Sequence, residues 1–404
     1  MNTQRAVRTA TAMMMLTALI AGCGLELLLP TNSRPIVDGT GSGADKVYEL
    51  AGQRFRVEAV VENLEIPWSI AFCDCGGFLY FTERPGRLSV FNLSTRRTVL
   101  VAELTDVAPP IPRSERGLMG LALSPNWSRD HTLFVSYTSE LADGSVRNVI
   151  EPWIVVGDRI ERGGGPIVAN LPAAFVHEGL GLGFGPDGKL YASTGDALQA
   201  ARAQDVDYLG GKFLRFNPDG SIPDDNPFPG SPVWSLGHRN PQGFAWHPER
   251  PDLLMATEHG SSILLDGTGG EDEINLIRPG ANYGWPLYRR DATAPGFEAP
   301  LWNSGDESIA PAGATFCTGR QFPAWRNALL FATLRGASLF VIRFDPDDPT
   351  RIVSVDRGLQ SEFGRLRAIR EAPDGSIYLS TSNRDGRGTP AATDDRILRL
   401  VPVE

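Results

Sequence analysis

The sequence predicts an all-β protein folded as a six-bladed β-propeller. Helical periodicity is nearly absent, and the 44 glycines and 31 prolines are typical of a chain with many short strands and turns. One unit also recurs six times: an apolar residue, a tight turn, a short β-rich run, and then small or polar residues. Its copies begin 51–72 residues apart, at positions 71, 122, 183, 245, 317 and 370.

Each copy has the chemistry of a strand, a turn and a second strand. Pro-Asp-Gly, as in "GFGPDGKLYASTGD" and "REAPDGSIYLSTSN", forms tight turns, and the alternating apolar runs that follow are strands buried on one or both faces. The other copies read "AFCDCGGFLYFTE", "ALSPNWSRDHTLFVSYT", "AWHPERPDLLMATEHG" and "CTGRQFPAWRNALLFATLRG". Six such units predict six blades. A pair of β-sandwiches would not explain six similar turns.

The N-terminus carries the features of an export signal. Two arginines and an apolar run lead to "IAGCG", which resembles a bacterial lipobox. We therefore expect a signal peptide at 1–22, lipidation of Cys23, a tether through residue 46 and the propeller from 47 to 404. An ordinary secretory signal with a chance cysteine is the alternative. No other apolar run reaches the ~18 residues of a membrane span, so attachment at the periplasmic or extracellular face of the cell envelope would depend on the lipid.

The remaining cysteines are Cys73, Cys75 and Cys317. Export permits a disulfide between Cys317 and one of the other two. A metal site at Cys-x-Cys is the alternative, although neither a histidine nor a fourth cysteine accompanies it.

The net charge of −10 and the absence of a basic run argue against nucleic acid as a partner. An acidic surface suits a protein that binds calcium. The segment "TEHGSSILLDGTGGEDEINLIRPGANYGWP" offers backbone carbonyls and carboxylates, the ligands that hard cations prefer, although its spacing is not that of an EF-hand. An exposed acidic loop is the alternative interpretation.

Of five histidines, His177 stands out because three glycines follow it in "HEGLGLG". Imidazole is the natural general base at neutral pH. The glycines lead us to expect room for a planar ring system beside that base. A structural loop histidine is the alternative. His238 and His259 are also flanked by glycine and remain candidates.

Several arginines are candidates to bind an anion with several carboxylates. Arg239 precedes Asn240 in "GHRNPQG", and Arg335 lies in "FATLRG". Arg365 and Arg367 alternate with Leu366, which places both on one face of a strand. Each, taken singly, also fits a solvated surface arginine.

Eight segments in order resemble the soluble pyrroloquinoline quinone (PQQ)-dependent sugar dehydrogenases, the glucose/sorbosone dehydrogenase family. The resemblance extends from about residue 55 to 402. The segments are "PWSIAF", "TERPGRL", "ERGLMGLALSP", "HEGLGLGFGPDGKLYASTGD", "GGKFLRFNPDGSIPDDNPF", "GHRNPQGFAWHP", "EHG…DEINLIRPGANYGWP" and "GRLRAIREAPDGSIYLST".

The resemblance implies oxidation of an aldose or related carbohydrate at the anomeric hydroxyl, with PQQ and Ca²⁺ as cofactors. His177 would be the general base while a hydride passes to the quinone. The residues that correspond to cofactor contacts are Glu115, Arg239, Asn240, Arg335, Arg365 and Arg367. The backbone carbonyls of Gly260 and Ser261 would hold the cofactor's Ca²⁺, and Glu273 with the Tyr283 carbonyl a second Ca²⁺.

The sequence departs from the family pattern at three places. The family's His-x-Gly-Gly-Arg-Leu reads His-Glu-Gly-Leu-Gly-Leu here, so the arginine is missing at Gly181 and Leu180 is bulky. Glu115 replaces a glutamine that approaches the quinone, and Ala312 replaces a serine. Two alternatives therefore stay open: a cofactor-free propeller that binds a carbohydrate or another ligand, and a calcium-dependent hydrolase of the lactonase type. The sugar and the electron acceptor are not specified.

Overall fold

The computed structural model describes residues 46–156, 159–261 and 269–403. The predicted signal peptide, Cys23 and the tether up to residue 45 lie outside the described residues. Helix in the described part of the chain is limited to α1 (Trp127–Asp130) and two 3₁₀ turns, Ala200–Gln204 and Pro323–Trp325. None of these is long and apolar enough to cross a membrane.

The described strands form six antiparallel sheets. Strands β1 (Tyr48–Leu50) and β2 (Gln53–Val61) come first. Blade 1 contains β3 (Pro67–Phe72), β4 (Phe78–Glu83), β5 (Arg87–Asn92) and β6 (Arg97–Glu103). Blade 2 contains β7 (Leu118–Leu123), β8 (Thr132–Glu140), β9 (Val146–Val156), β10 (Arg159–Arg162) and β11 (Val168–Leu171). Blade 3 contains β12 (Gly179–Phe184), β13 (Leu190–Thr194), β14 (Lys212–Phe216) and β15 (Val233–Leu236).

The last three blades follow the same plan. Blade 4 contains β16 (Pro241–Trp246), β17 (Leu254–Glu258), β18 (Glu273–Ile277) and β19 (Trp302–Asn303). Blade 5 contains β20 (Pro311–Phe316), β21 (Leu329–Thr333), β22 (Leu339–Phe344) and β23 (Ile352–Gly358). Blade 6 contains β24 (Leu366–Glu371), β25 (Ile377–Thr381) and β26 (Ile397–Pro402). The six repeated turns join the first strand of each blade to the second, so the prediction of a six-bladed propeller is confirmed.

Both ends of the described chain contribute to blade 6. Strand β26 pairs with β2, with Phe55 opposite Pro402, and β2 in turn pairs with β1. The indole nitrogen of Trp325 donates to the carbonyl of Leu50 at 2.9 Å, which ties this edge to blade 5. The repeat alone did not predict that N-terminal strands complete the last blade.

A repeated hydroxyl contact joins neighbouring blades. In blade 3, Ser193 Oγ accepts from the backbone N–H of Gly181 at 3.1 Å and donates to the carbonyl of Pro241 in blade 4 at 3.1 Å. The equivalent donations are Thr82 to Met119, Ser136 to Leu180, Thr257 to Ala312 and Ser380 to Pro67. Blade 5 lacks the contact, because the strand register places Ala332 at this position. The hydroxyls satisfy backbone groups where a bulge interrupts strand pairing.

The glycines after His177 serve this blade packing, so the expectation that they leave room for a planar ring is wrong. A Cβ on Gly181 would lie 2.3 Å from the carbonyl oxygen of Gln242, and one on Gly183 would lie 3.0 Å from the ring of Phe244. Leu180 is fully buried between blades and does not enter the mouth of the channel. Glycine permits the close approach of neighbouring inner strands.

The expected pairing of Cys317 is also wrong. Cys73 and Cys75 form a disulfide with each other within the β3–β4 turn. Cys317 is a free, buried thiol whose sulfur lies 3.9 Å from the carbonyl oxygen of Phe322. Both sulfurs of Cys-x-Cys are therefore bonded to each other, which removes the alternative of a metal site there.

Candidate active site

One mouth of the central channel collects the predicted functional residues. In every blade the first strand begins, and the antiparallel second strand ends, at this mouth. His177 and Arg239 lie two residues before the first strands of blades 3 and 4, and Arg365 lies directly before that of blade 6. Asp196 and His259 follow second strands. The fold thus brings together residues from blades 3, 4 and 6.

His177 is held by a carboxylate that sequence reasoning missed. Its Nδ1 lies 2.7 Å from Oδ1 of Asp196, which is almost completely buried. The indole of Trp285 donates to the other oxygen of Asp196 at 2.9 Å. Because Asp196 takes the Nδ1–H, Nε2 is left as a proton acceptor, and no described residue bonds to it. The available signal was "STGD", which ends the second strand of the same blade.

Glu115 supports the loop that carries His177. Its Oε2 accepts the backbone N–H groups of His177 at 2.9 Å and Glu178 at 3.3 Å, together with Nδ2 of Asn240 at 3.2 Å. Burial alone would raise the pKa of Glu115, but the charges of His259, His177 and nearby arginines lower it to about 2. The carboxylate is ionised at neutral pH and connects blades 2, 3 and 4.

Asn240 is fully buried and its amide is already engaged. Its Oδ1 accepts from the N–H of Gly179 at 3.0 Å and from Nε2 of Gln242 at 3.1 Å, while Nδ2 reaches Glu115. Its expected role as a cofactor contact stays a prediction. The contacts make Asn240 a residue that positions its neighbours.

Arg239 and Arg367 each keep a buried nitrogen without a partner. Arg239 lies over the ring of Trp285 and donates from Nη1 to the carbonyl of His259 at 3.3 Å. Arg367 donates from Nη1 to Oε1 of Gln242 at 2.8 Å. Burial lowers the pKa of both guanidinium groups, that of Arg367 to about 9. Nε of each arginine is buried and has no hydrogen-bond partner among the described residues.

The other two predicted arginines differ from this pair. Arg365 forms an ion pair with the buried Asp385 at 2.8 Å, so its charge is already compensated. Arg335 lies at the same mouth, after β21, but its side chain is exposed and hydrogen-bonds to no described residue.

His259 adds a third buried nitrogen without a partner among the described residues. In the sequence, only the glycine beside it marked His259 as a candidate site residue. Burial lowers the pKa of His259 to about 3, so the ring is neutral at pH 7. Its Nε2 is buried without a partner in the described part of the chain. His238, the other glycine-flanked histidine, is structural, because it is fully buried between Ser235 Oγ at 2.9 Å and Glu258 Oε2 at 2.8 Å.

The four residues predicted to bind calcium border one cavity of about 20 Å³ in blade 4. This volume accommodates about one water-sized species. The residues are Gly260, Ser261, Glu273 and Tyr283. The carbonyl of Ser261 already accepts from the N–H of Gly270 at 2.8 Å. No group of three or more His, Cys, Asp or Glu side chains in the described ranges is arranged to hold a metal.

Two carboxylates face each other at this cavity. Glu258 and Glu273 are directly opposed on β17 and β18, and Nδ2 of Asn275 donates to both at 3.1 Å. Burial, followed by the charge of Glu258, raises the pKa of Glu273 to about 8. Like charges directly opposite each other are destabilising. A proton relieves the repulsion, as would a cation that took oxygen ligands from both carboxylates.

The chain matches the family model described as Glucose / Sorbosone dehydrogenase over residues 64–398. Aldose sugar dehydrogenase YliI of Escherichia coli K12 is 30% identical over 354 residues, which cover 82% of this chain and 91% of that protein. Quinoprotein glucose dehydrogenase B of Acinetobacter calcoaceticus is 25% identical over 428 residues, covering 83% and 86% of the two chains.

Solved structures of glucose and aldose sugar dehydrogenases are also similar to this chain. A putative oxidoreductase (glucose dehydrogenase) of Thermus thermophilus has a TM-score of 0.75 and 38% identity, covering 86% of this chain and 100% of that chain. The PQQ-bound form of aldose sugar dehydrogenase from Streptomyces coelicolor has a TM-score of 0.75 and 33% identity, covering 86% and 98%. This chain belongs to the glucose/sorbosone dehydrogenase family.

Proposed function

We propose that this protein is a PQQ- and calcium-dependent dehydrogenase that oxidises an aldose or a related carbohydrate at its anomeric hydroxyl. Membership of the family, similarity to aldose sugar dehydrogenases and likeness to a PQQ-bound relative support sugar oxidation and PQQ. The observation that carries the assignment to this mouth is the His177–Asp196 pair beside three buried nitrogens without partners among the described residues.

The residues present fit an anionic cofactor. A buried donor without a partner costs free energy, and a buried guanidinium costs more. Nε of Arg239 and Nε of Arg367 both require acceptors that the described protein does not provide. PQQ carries several carboxylates and, when bound, supplies the acceptor for the hydride that leaves the sugar carbon. Arg239 and Arg367 would hold its carboxylates, whereas Arg365 and Arg335 contribute less directly.

His177 has the geometry of a general base. Asp196 fixes the ring and its tautomer, so that Nε2 accepts the proton of the substrate hydroxyl. The carboxylate then stabilises the imidazolium that forms. Glu115 and Asn240 hold the backbone on either side and keep Nε2 directed at the mouth.

Calcium would occupy the oxygen-rich cavity of blade 4, where Glu273 and the carbonyls of Tyr283 and Gly260 are candidate ligands and Glu258 is an additional one. When bound near the cofactor, Ca²⁺ supplies a Lewis acid without redox chemistry of its own. Removal of the first 22 residues and lipidation of Cys23 would place the protein at the cell envelope.

The test is a spectroscopic titration of cofactor-free protein. PQQ and Ca²⁺ are added first, followed by a panel of aldoses, and reduction of the quinone is recorded. Reduction that depends on both Ca²⁺ and sugar supports the proposal. Binding of sugar without quinone reduction by the wild type or Glu115→Gln would favour a cofactor-free binding propeller. Hydrolysis of a lactone that requires Ca²⁺ but not PQQ would favour the hydrolase.

A further inference from the structure

The far mouth of the channel, opposite His177, contains a second pocket. First strands of blades 1, 2, 3 and 6 end there, at Phe72, Leu123, Phe184 and Glu371. Together with the neighbouring turns they border an open pocket of about 440 Å³. Pockets of 300–1,000 Å³ with apolar walls and a few polar groups are typical sites for small molecules.

Arg370 projects into this pocket with an uncompensated charge. It also lines the cavity of about 50 Å³ in the channel interior, so it lies between the two spaces. No described residue forms an ion pair or a hydrogen bond with its guanidinium. Burial lowers the pKa of Arg370, and no neighbouring charge contributes to the shift. Arginine stays protonated in proteins, so this half-buried cation is open to pairing with an external anion.

The other charged groups of the pocket leave its net charge positive. The carboxylate of Glu371 accepts from the backbone N–H and the hydroxyl of Thr318, at 3.0 and 2.9 Å, and does not reach Arg370. Arg320 lies exposed at the rim, donates to the carbonyl of Pro373 and makes no ion pair within the described ranges. A cationic pocket on a chain of net charge −10 attracts an anion.

We propose that this far pocket binds a small organic acid, whose carboxylate pairs with Arg370 while its apolar part packs against Phe72 and Phe184. A guanidinium binds a carboxylate through two parallel hydrogen bonds. The two rings provide the apolar surface that an inorganic anion would not use. The site is separate from the mouth at His177 and does not depend on the proposed dehydrogenase activity.

The proposal is tested by calorimetric titration with sodium benzoate, in the presence and absence of PQQ and Ca²⁺. Benzamide, which has the same shape without the charge, is the matched ligand control. We expect benzoate to bind in both conditions and benzamide to bind at least about 10-fold more weakly, because a charge-assisted pair is lost. Absence of benzoate binding up to about 20 mM, or equal binding of benzamide, overturns the proposal.

Arg370→Met removes the charge and keeps most of the side-chain volume. It should lower the affinity for benzoate by about 10- to 100-fold. The control variant is Arg343→Met, on the third strand of blade 5 and away from the channel, which should leave the affinity for benzoate unchanged. Arg370→Met should melt at a temperature no lower than that of the wild type without ligand, because Arg370 forms no ion pair or hydrogen bond with a described residue that the substitution would remove. Folded Arg370→Met that binds benzoate as tightly as the wild type rules out the site.

Discussion

Oδ1 of Asp196 lies 2.7 Å from Nδ1 of His177, and the indole of Trp285 fixes the second oxygen of the same carboxylate. Three segments of the chain therefore determine where one imidazole nitrogen points. His177→Ala should retain PQQ affinity while turnover falls by roughly 10²- to 10⁴-fold, the usual contribution of a positioned base. Fluorescence titration with PQQ and steady-state kinetics measure the two quantities separately. A loss of PQQ affinity as large as the loss of turnover contradicts the assignment.

Arg367 and Arg365 should differ in their effect on the cofactor. Arg367→Ala removes a guanidinium with an unpaired nitrogen. It should weaken the binding of PQQ by on the order of 1.5–3 kcal/mol. Arg365→Ala should mainly lower the melting temperature, because it leaves the buried carboxylate of Asp385 without its partner. Equal losses of PQQ affinity in the two variants, measured in the same titration, would show that the Arg365 ion pair opens to the cofactor.

Glu115→Gln replaces a carboxylate by the amide that the resemblance to the family implies at this position. The amide oxygen can still accept the N–H groups of His177 and Glu178, so stability should change little. Affinity for PQQ should rise, because a negative charge beside an anionic cofactor is removed. Glu115→Ala is the control: it leaves those donors unpaired and should destabilise the fold by about 1–3 kcal/mol. An unchanged PQQ affinity in Glu115→Gln would mean that the carboxylate does not face the cofactor.

Calcium should stabilise the folded protein through the cavity in blade 4. A ligand bound only by the native state adds about 2.7 kcal/mol at roughly 100-fold excess over Kd. Glu273→Gln should remove part of the rise in melting temperature, and Glu298→Gln, an exposed carboxylate outside the cavity, should leave it intact. Calorimetry without any heat of Ca²⁺ binding to the wild type removes the metal from the proposed function.

The buried carboxyl group of Glu178 should make the free energy of unfolding depend on pH. Burial raises its pKa from the ordinary 4.5 to about 8, with bonds from Asn148 and Ala174 opposing the shift. The folded protein therefore retains a proton that the unfolded chain releases, and stability falls as pH rises from about 4.5 to 8. Glu178→Gln stays neutral, so its free energy of unfolding should fall less than that of the wild type between pH 6 and pH 9, even though its amide gives up one of the two hydrogen bonds that the carboxyl oxygens accept.

Denaturant unfolding at pH 6 and pH 9 measures this difference, with Glu161→Gln as an exposed control. Parallel pH profiles for the wild type and Glu178→Gln would show that Glu178 ionises without cost in the folded state.

Local patterns predicted the blades, because each turn is encoded by adjacent residues such as Pro186, Asp187 and Gly188. The family resemblance, and not the local pattern alone, pointed to His177, Arg239 and Arg367 as residues of one site. Asp196 and Glu258 were missed because their roles depend on pairing between strands, which composition does not reveal. The glycines were misinterpreted for a related reason: the group that excludes a side chain at Gly181 is a carbonyl of the next blade, 61 residues further along the chain.

The pairing of β2 with β26 has a consequence for biogenesis. Blade 6 is complete only when β26 has paired with β2, because Phe55 lies opposite Pro402. Contacts of such long sequence separation are slow to form. Until that pairing forms, the blades make an open row, and the ring closes when β2 and β26 meet. A truncation of even the final strand should leave both edges of that row exposed to proteolysis and to pairing with other chains.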